Sequence, residues 1–468
     1  MEKAIIIGAG PAGLTTAYEL VKRGIKPIII ERDSIVGGIA RTIQYKDYRF
    51  DIGGHRFFTK NKEIENMWKE IMKDDFLTRQ RLSRWYFQKK FFEYPIKPFE
   101  IIWKFGFKSI LFILSYLKSK AFPIKPEISA QDWYCNQFGN YLGKIFFTNY
   151  NEKLWGIPCS QLSPDFGKQR VKGVTFFSTI MSHFRKTLVK SLIDSFQYPK
   201  YGPGMMWEKM KEFIEKRGGQ FLFNQEVICI NHKNNKIYSV TISNSEKTIS
   251  DVSCDYVFSS MPLPSLITSL NPNVPFEIIE IASKLKFRDF VTISLIINKK
   301  EVFPDNWIYT HDEGMKCIRI QNYNNWSPYM NSKKGTTCLG FEYTCQENDD
   351  FWKLPDEDLK FIAVQDLIKT GFAEEKDVID FKVIKMKEAY PIYDLNYKEN
   401  VEKIKEYLKQ FKNLQCIGRG GLFKYNNMDH SMMTSILAVK NFFEEGNYDV
   451  WNVNADAEYH EENRTANK

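Results

Sequence analysis

The sequence predicts an α/β protein: a discontinuous, Rossmann-like dinucleotide-binding domain, interrupted by a helical insertion and an antiparallel-sheet substrate region. Three observations predict it. The chain opens as strand, glycine turn, helix and strand. From Phe91 to about Gln197 long amphipathic stretches replace strand alternation. Short strand-like runs then return from residue 219, ahead of one last strand and helix. With 468 residues, the chain is too long for one simple core, so two or three domains are expected.

Ala4 to Ile7 is a continuous apolar run, as for a parallel strand buried on both faces. The sequence GAGPAG follows at 8–13. Gly8 permits the tight turn, Gly10 lets backbone approach a pyrophosphate, and Gly13 lets helix and strand pack closely. Pro11 and Ala12 complete the loop, where the helix N-terminus offers its amides and positive dipole end to phosphates. Leu14, Ala17, Tyr18 and Val21 recur at helical spacing until Lys22-Arg23-Gly24 stops the helix. Pro27 to Ile30 forms the next strand, and Glu31 at its end can accept hydrogen bonds from ribose hydroxyls, with Arg32 beside it. Two further glycine pairs decide between nucleotides. Gly37-Gly38, with Arg41 and Thr42 nearby, suits a chain that stays beside an embedded pyrophosphate. Gly53-Gly54, before His55, would let backbone lie against a flat ring system. Nicotinamide sites require neither pair, so FAD is the expected cofactor.

The middle of the chain is expected to be a helical insertion over 91–199. Within it residues 99–117 are apolar, but Glu100, Lys104 and Lys108 interrupt them. A spanning helix needs roughly 20 nearly uncharged residues. A helix buried between domains is therefore favoured, with a membrane-surface helix as the alternative. Strands are expected at Gln220–Phe223, Glu226–His232, Tyr238–Ser243 and Asp255–Ser260, and an antiparallel sheet over 286–384. Leu414–Gly418 reads as a buried strand, followed by a helix from about Ser431 to Phe443. The FAD-binding domain is thus expected to comprise 1–90, 200–285 and 385–455, with 456–468 as a loose tail.

The net charge of +9 is dispersed, without a long Lys/Arg block, which argues against nucleic acid. Eight cysteines stand far apart with no CxxC pair, so neither zinc nor a disulfide framework is suggested. Six histidines without HExxH, and no G-x-S-x-G elbow, leave metal-dependent and serine hydrolysis unsupported. Met1-Glu2-Lys3 runs straight into the first strand, which makes a reduced cytoplasm the expected compartment, with membrane association through 99–117 as an option.

Taken together, these residues resemble the UDP-galactopyranose mutase branch of the flavoprotein superfamily that also contains amine oxidases, phytoene desaturases and protoporphyrinogen oxidases. GAGPAG, Glu31 and Gly37-Gly38 are superfamily features. Ile417-Gly418-Arg419 followed by Tyr425-Asn426-Asn427-Met428-Asp429 is similar to the mutases' G-R-x(4–6)-Y-x-x-M-D segment, and Tyr390-Pro391 to their Tyr-Pro. Gly54-His55-Arg56-Phe57-Phe58-Thr59 resembles their G-P-H-x-F-H-T loop, departing from it at Gly54, Arg56 and Phe58. The resemblance implies that Arg419, Met428, Asp429 and Ser431 hold the flavin, that Val227 contacts adenine through backbone, and that His55 sits beside the flavin. It implies diphosphate-binding roles for Arg170 and Arg319, hydroxyl donors at Tyr390 and Tyr425, and substrate contacts at Trp155 and Tyr94. The implied reaction is a redox-neutral pyranose–furanose interconversion of a nucleotide sugar for surface glycan synthesis. It needs reduced flavin, hence NAD(P)H or another reductant. The alternatives are an FAD-dependent oxidoreductase of an amine, porphyrinogen or isoprenoid, and a flavin-binding scaffold without turnover.

Overall fold

The computed structural model describes residues 3–93, 98–171 and 195–454. Tyr94, the side chain of Arg170 and the 456–468 tail lie outside the described residues. Five parallel strands form the central sheet, in the order Leu414–Cys416, Tyr256–Ser259, Ala4–Ile7, Ile28–Ile30 and Gln220–Leu222. Their segments come from the start, middle and end of the chain, so this domain is discontinuous. Ala4–Ile7 lies at its centre and is buried along its length, as its uninterrupted apolar composition requires. The helix Pro11–Lys22 packs against the last helix, Met428–Phe442, and against Gly204–Glu215.

A small sheet of Ile249–Ser253, Lys236–Asn244, Gln225–Lys233 and Leu270–Asn271 flanks this core. A larger mixed sheet has seven strands, in the order Val378–Pro391, Phe287–Ile297, Thr337–Cys345, Arg319–Asn322, Trp307–Thr310, Ser83–Phe87 and Lys90–Glu93. It differs from the expected 286–384 unit at both edges. Ser83–Phe87 pairs in parallel with Trp307–Thr310, and Val378–Pro391 pairs with Phe287–Ile297 across the boundary drawn at 385. Sequence periodicity carries no record of such distant pairing.

The insertion is helical from Pro98 to Phe105 and from Lys108 to Ala121, and again through Ala130–Phe138 and Asn149–Trp155. It is bounded by strands: Lys90–Glu93 precedes it, and Ser195–Pro199 pairs antiparallel with Phe76–Gln80. The helix expected from Ser431 begins at Met428, where Asn427 accepts from the third residue's amide and His430 reaches back in a capping box. All eight cysteines are free thiols.

Candidate active site

The carboxyl ends of the five parallel strands open onto one cleft, where a doubly wound sheet leaves room for a ligand. It holds about 1330 Å3 of atom-free space, mouth included. Gly8, Gly10, Pro11, Ala12, Glu31, Arg32, Gly38, Arg41, His55, Val227, Arg419, Met428 and Ser431 line it. Gly13, Gly37, Gly53, Gly54 and Asp429 lie behind the lining. A Cβ on Gly13 would stand 1.8 Å from the Gly8 carbonyl oxygen, so glycine there is what lets the helix sit on its strand. Gly37 donates its N–H to the Ala9 carbonyl at 2.8 Å, and Asp429 is buried in the first turn of the last helix, where burial raises its carboxyl.

The cleft fits an FAD in four respects. Two glycine loops meet on its floor, because a Cβ on Gly38 would reach within 3.2 Å of the Gly10 Cα, leaving bare backbone toward the groove. Among the described residues no side chain caps the first turn of Pro11–Lys22, so its amides and dipole end remain available to phosphate. The Glu31 carboxylate is fixed by the Ala9 N–H at 2.6 Å and the Asp33 N–H at 3.0 Å, with a lone pair on each oxygen left for ribose hydroxyls. At the other end the buried His55 Nδ1 has no hydrogen-bond partner among the described residues. Burial, then Arg419 and Arg319, pushes that imidazole down to about 3, so it is neutral and can hydrogen-bond a flavin ring atom.

Not every lining cation faces a ligand. Arg41 donates to the Gly38 carbonyl at 2.7 Å and is ion-paired with Asp33, so it braces the glycine loop. Arg419 donates to the carbonyls of Asn426, at 2.7 Å and 2.9 Å, and of Ala389, at 3.1 Å. Its guanidinium lies 5.4 Å from the Tyr390 ring centre and 5.0 Å from that of Tyr425. It thereby ties the C-terminal loop to the end of the Val378–Pro391 strand.

Beyond the His55 end stands an aromatic and cationic wall. Tyr390 and Tyr425 stack at 5.4 Å with an interplanar angle of 17°. Trp155 is buried edge-on behind both, which places it in their support rather than as an open stacking platform. Arg319 pairs with the fully buried Glu342 at 2.5 Å, and a Cβ on Gly53 would lie 3.6 Å from its Nη2 and 3.7 Å from His55 Cε1. His55, Gly53 and Arg319 are therefore neighbours. Arg170 lies in the helix Asp165–Val171, but its side chain is outside the described residues.

Some residues escaped the sequence reading. Tyr309 stands opposite Arg319 in the sheet, edge-on to Tyr150, which stacks on His311. Arg56 and Arg81 lie over the Trp307 ring at 5.9 Å and 5.5 Å, and Trp307 shares its strand face with Tyr309. Burial favours a neutral Tyr309, yet Arg319, Arg81 and Arg56 together draw its hydroxyl below the usual phenol value. The alternation Trp307–Tyr309 was a usable signal; the convergence of Arg56 and Arg81 on it was not, since it depends on pairing across distant strands. Ser260 and Met261 also line the cleft, at a strand end no motif marks, and so does Asn427, an unassigned position inside the C-terminal motif.

The family of flavin-containing amine oxidoreductases matches residues 138–387, more than half of the chain. The chain belongs to that family. Residues 6–71 match the NAD(P)-binding Rossmann-like domain. A solved structure of reduced UDP-galactopyranose mutase superposes with a TM-score of 0.85 at 20% identity, covering 98% of this chain and 97% of the other. A 1-hydroxycarotenoid 3,4-desaturase of Flavobacterium sp. (strain P99-3) is 24% identical over 54% of this chain and 56% of its own. An L-amino-acid oxidase of Crotalus adamanteus is 31% identical over 21% and 22%. The chain thus spans about half the length of the desaturase and about a fifth of the oxidase. Within this amine oxidoreductase family FAD is the cofactor, in agreement with the shape and donor set of the cleft. The chain shares its fold with the mutase structure over nearly its whole length.

Proposed function

We propose that this family member is a redox-neutral, FAD-dependent mutase that interconverts pyranose and furanose forms of a nucleotide-diphosphate sugar. The observation that carries the proposal is the half-buried cationic wall next to His55, where Arg319 is joined by Arg56 and Arg81 around Tyr309. A diphosphate must be held while it leaves the sugar and while it returns. Planar guanidiniums with several fixed donors suit that task. Tyr390 and Tyr425 supply hydroxyls beside the same space, and their stacked rings, backed by Trp155, close it from water. His55, kept neutral by burial, holds the ring edge of the cofactor without competing for the diphosphate. Bound and reduced, FAD supplies an electron-rich centre for the anomeric carbon, and the electrons are returned at the end, so no net oxidation results. Such a reaction serves surface glycan synthesis and takes its initial electrons from NAD(P)H or another reductant.

A second reading, oxidation of an amine, a porphyrinogen or an isoprenoid, draws on the likeness to the desaturase and to the amino-acid oxidase. One experiment separates the two. The protein is reduced anaerobically with dithionite and incubated with UDP-galactopyranose, and the sugar nucleotides are resolved chromatographically. The furanose form should accumulate with reduced protein alone. No conversion in either redox state, together with bleaching of oxidised flavin by an amine, porphyrinogen or isoprenoid, would establish the second reading.

A further inference from the structure

We propose that the helix pair Pro98–Phe105 and Lys108–Ala121 docks this protein on an anionic phospholipid surface. A surface helix normally turns its apolar stripe to the core and its polar stripe to water. Here apolar residues occupy both faces. Ile101, Phe112 and Tyr116 are buried, and Ile101 and Phe112 join the aromatic cluster of Phe92, Phe138 and Phe146. On the outer side Trp103 is 86% exposed and Phe107 92% exposed. Ile110, Leu111, Leu114 and Leu117 are each at least half exposed, and Phe122 continues the surface at 78%. Within Lys108–Ala121 the positions 110, 114 and 117 follow helical spacing and form one outward stripe, and Trp103 and Phe107 stand exposed on either side of the helix break at Gly106. A contiguous exposed patch of this kind marks an interaction surface.

Charge selects the occupant. Lys108, Lys118 and Lys125 are exposed beside the stripe, against Glu100 and Glu127, while Lys104 is ion-paired with Glu100 and Lys120 donates to the Asn136 carbonyl at 2.8 Å. Both carboxylates are already engaged, Glu100 by Lys104 and Glu127 by Lys168 at 3.7 Å. Large apolar side chains flanked by lysines are the composition that seats a helix at the headgroup–acyl boundary of an anionic leaflet. A second copy of this chain would instead bring the same lysines face to face across an isologous contact. Among the described residues no helix is long and apolar enough to cross a membrane, so the geometry is that of a helix lying on the surface. Because the inner face of the pair belongs to the cluster that contains Trp155 and packs Tyr390, docking would hold the substrate wall close to the bilayer.

The test uses the full-length, flavin-loaded protein and co-sedimentation with vesicles of phosphatidylcholine, alone or mixed with phosphatidylglycerol. The mixed vesicles should retain about tenfold more protein, and W103S/F107S should lower that binding by about tenfold with flavin content unchanged. K108E/K118E should abolish the preference for phosphatidylglycerol. Absence of binding to the mixed vesicles would overturn the proposal, as would binding indifferent to W103S/F107S. A vesicle-free dimer that W103S/F107S dissociates would likewise overturn it, by assigning the face to a second copy.

Discussion

Arg319 is held in place by chemistry that leaves it charged yet orientable. Glu342, without exposed surface, receives the Arg319 Nε at 2.6 Å and the Gln321 Nε2 at 2.7 Å. Burial opposes the charge on Arg319, but Glu342 holds the guanidinium firmly protonated. Arg319→Lys keeps the charge and loses the fork, so affinity for a UDP-sugar should fall about tenfold while flavin content stays constant. Binding titration against visible flavin absorbance checks this. Arg319→Ala, by contrast, strands a buried carboxylate and should cost about 3–5 kcal/mol of stability, a loss that adding Glu342→Gln should reduce. Of this wall, Tyr390 and Tyr425 were legible as motif positions, Arg319 only as a role the family resemblance implies, and Arg56 as a departure from a motif. The convergence of Arg81 on Trp307 was not, because only strand pairing brings them together.

The opening strand, turn and helix act as one rigid nucleotide cradle. Gly13 has no room for a side chain, since its Cβ would overlap the Gly8 carbonyl at 1.8 Å and press on Ile6 at 3.2 Å. Gly13→Val should therefore lift the helix off its strand and yield protein with little bound flavin; the absorbance of flavin per chain after purification measures it. A fully yellow Gly13→Val protein would contradict that role. These elements were readable because their signals are local: an apolar run, glycines at fixed offsets and a helical stripe. The 99–117 segment was readable as helical, but the expected burial holds for its inner face alone. Hydrophobicity alone cannot tell an inward stripe from an outward one.

At the scale of the whole molecule, burial of histidine gives the fold an acid limb. Burial, with Arg419 and Arg319 near one ring and Lys153 near the other, lowers both His55 and His311 from 6.5 to about 3. Between those values the unfolded chain binds protons that the folded protein refuses, so stability falls as pH falls through that window. Asp51 works in the opposite sense. Burial raises it to about 7 against the donors Tyr198 and Thr42, so its contribution is present at low pH and is lost as pH rises through about 7. Comparing slopes isolates one group: His311→Phe, within the ring cluster of Trp85, Phe146 and Tyr150, should flatten the dependence of Tm on pH between 6.5 and 4. An unchanged slope would remove His311 from the acid limb.

The sequence by itself determined the nucleotide cradle and its cofactor, because GAGPAG, Glu31 and the later glycine pairs act through backbone conformation and close approach, which are local properties. It also marked the C-terminal Arg419–Asp429 run that closes the cleft. Tertiary structure alone decided which cations share neighbours: the pairing of Ser83–Phe87 with Trp307–Thr310, and of that strand with Arg319–Asn322, brings Arg81 and Arg319 to Trp307 and Tyr309, and the loop bridged through Phe57 and Gln197 brings Arg56. It alone decided that the 98–121 helices turn apolar side chains outward. Both outcomes depend on contacts between segments far apart in the chain, whose free energies have no trace in the spacing of neighbouring residues.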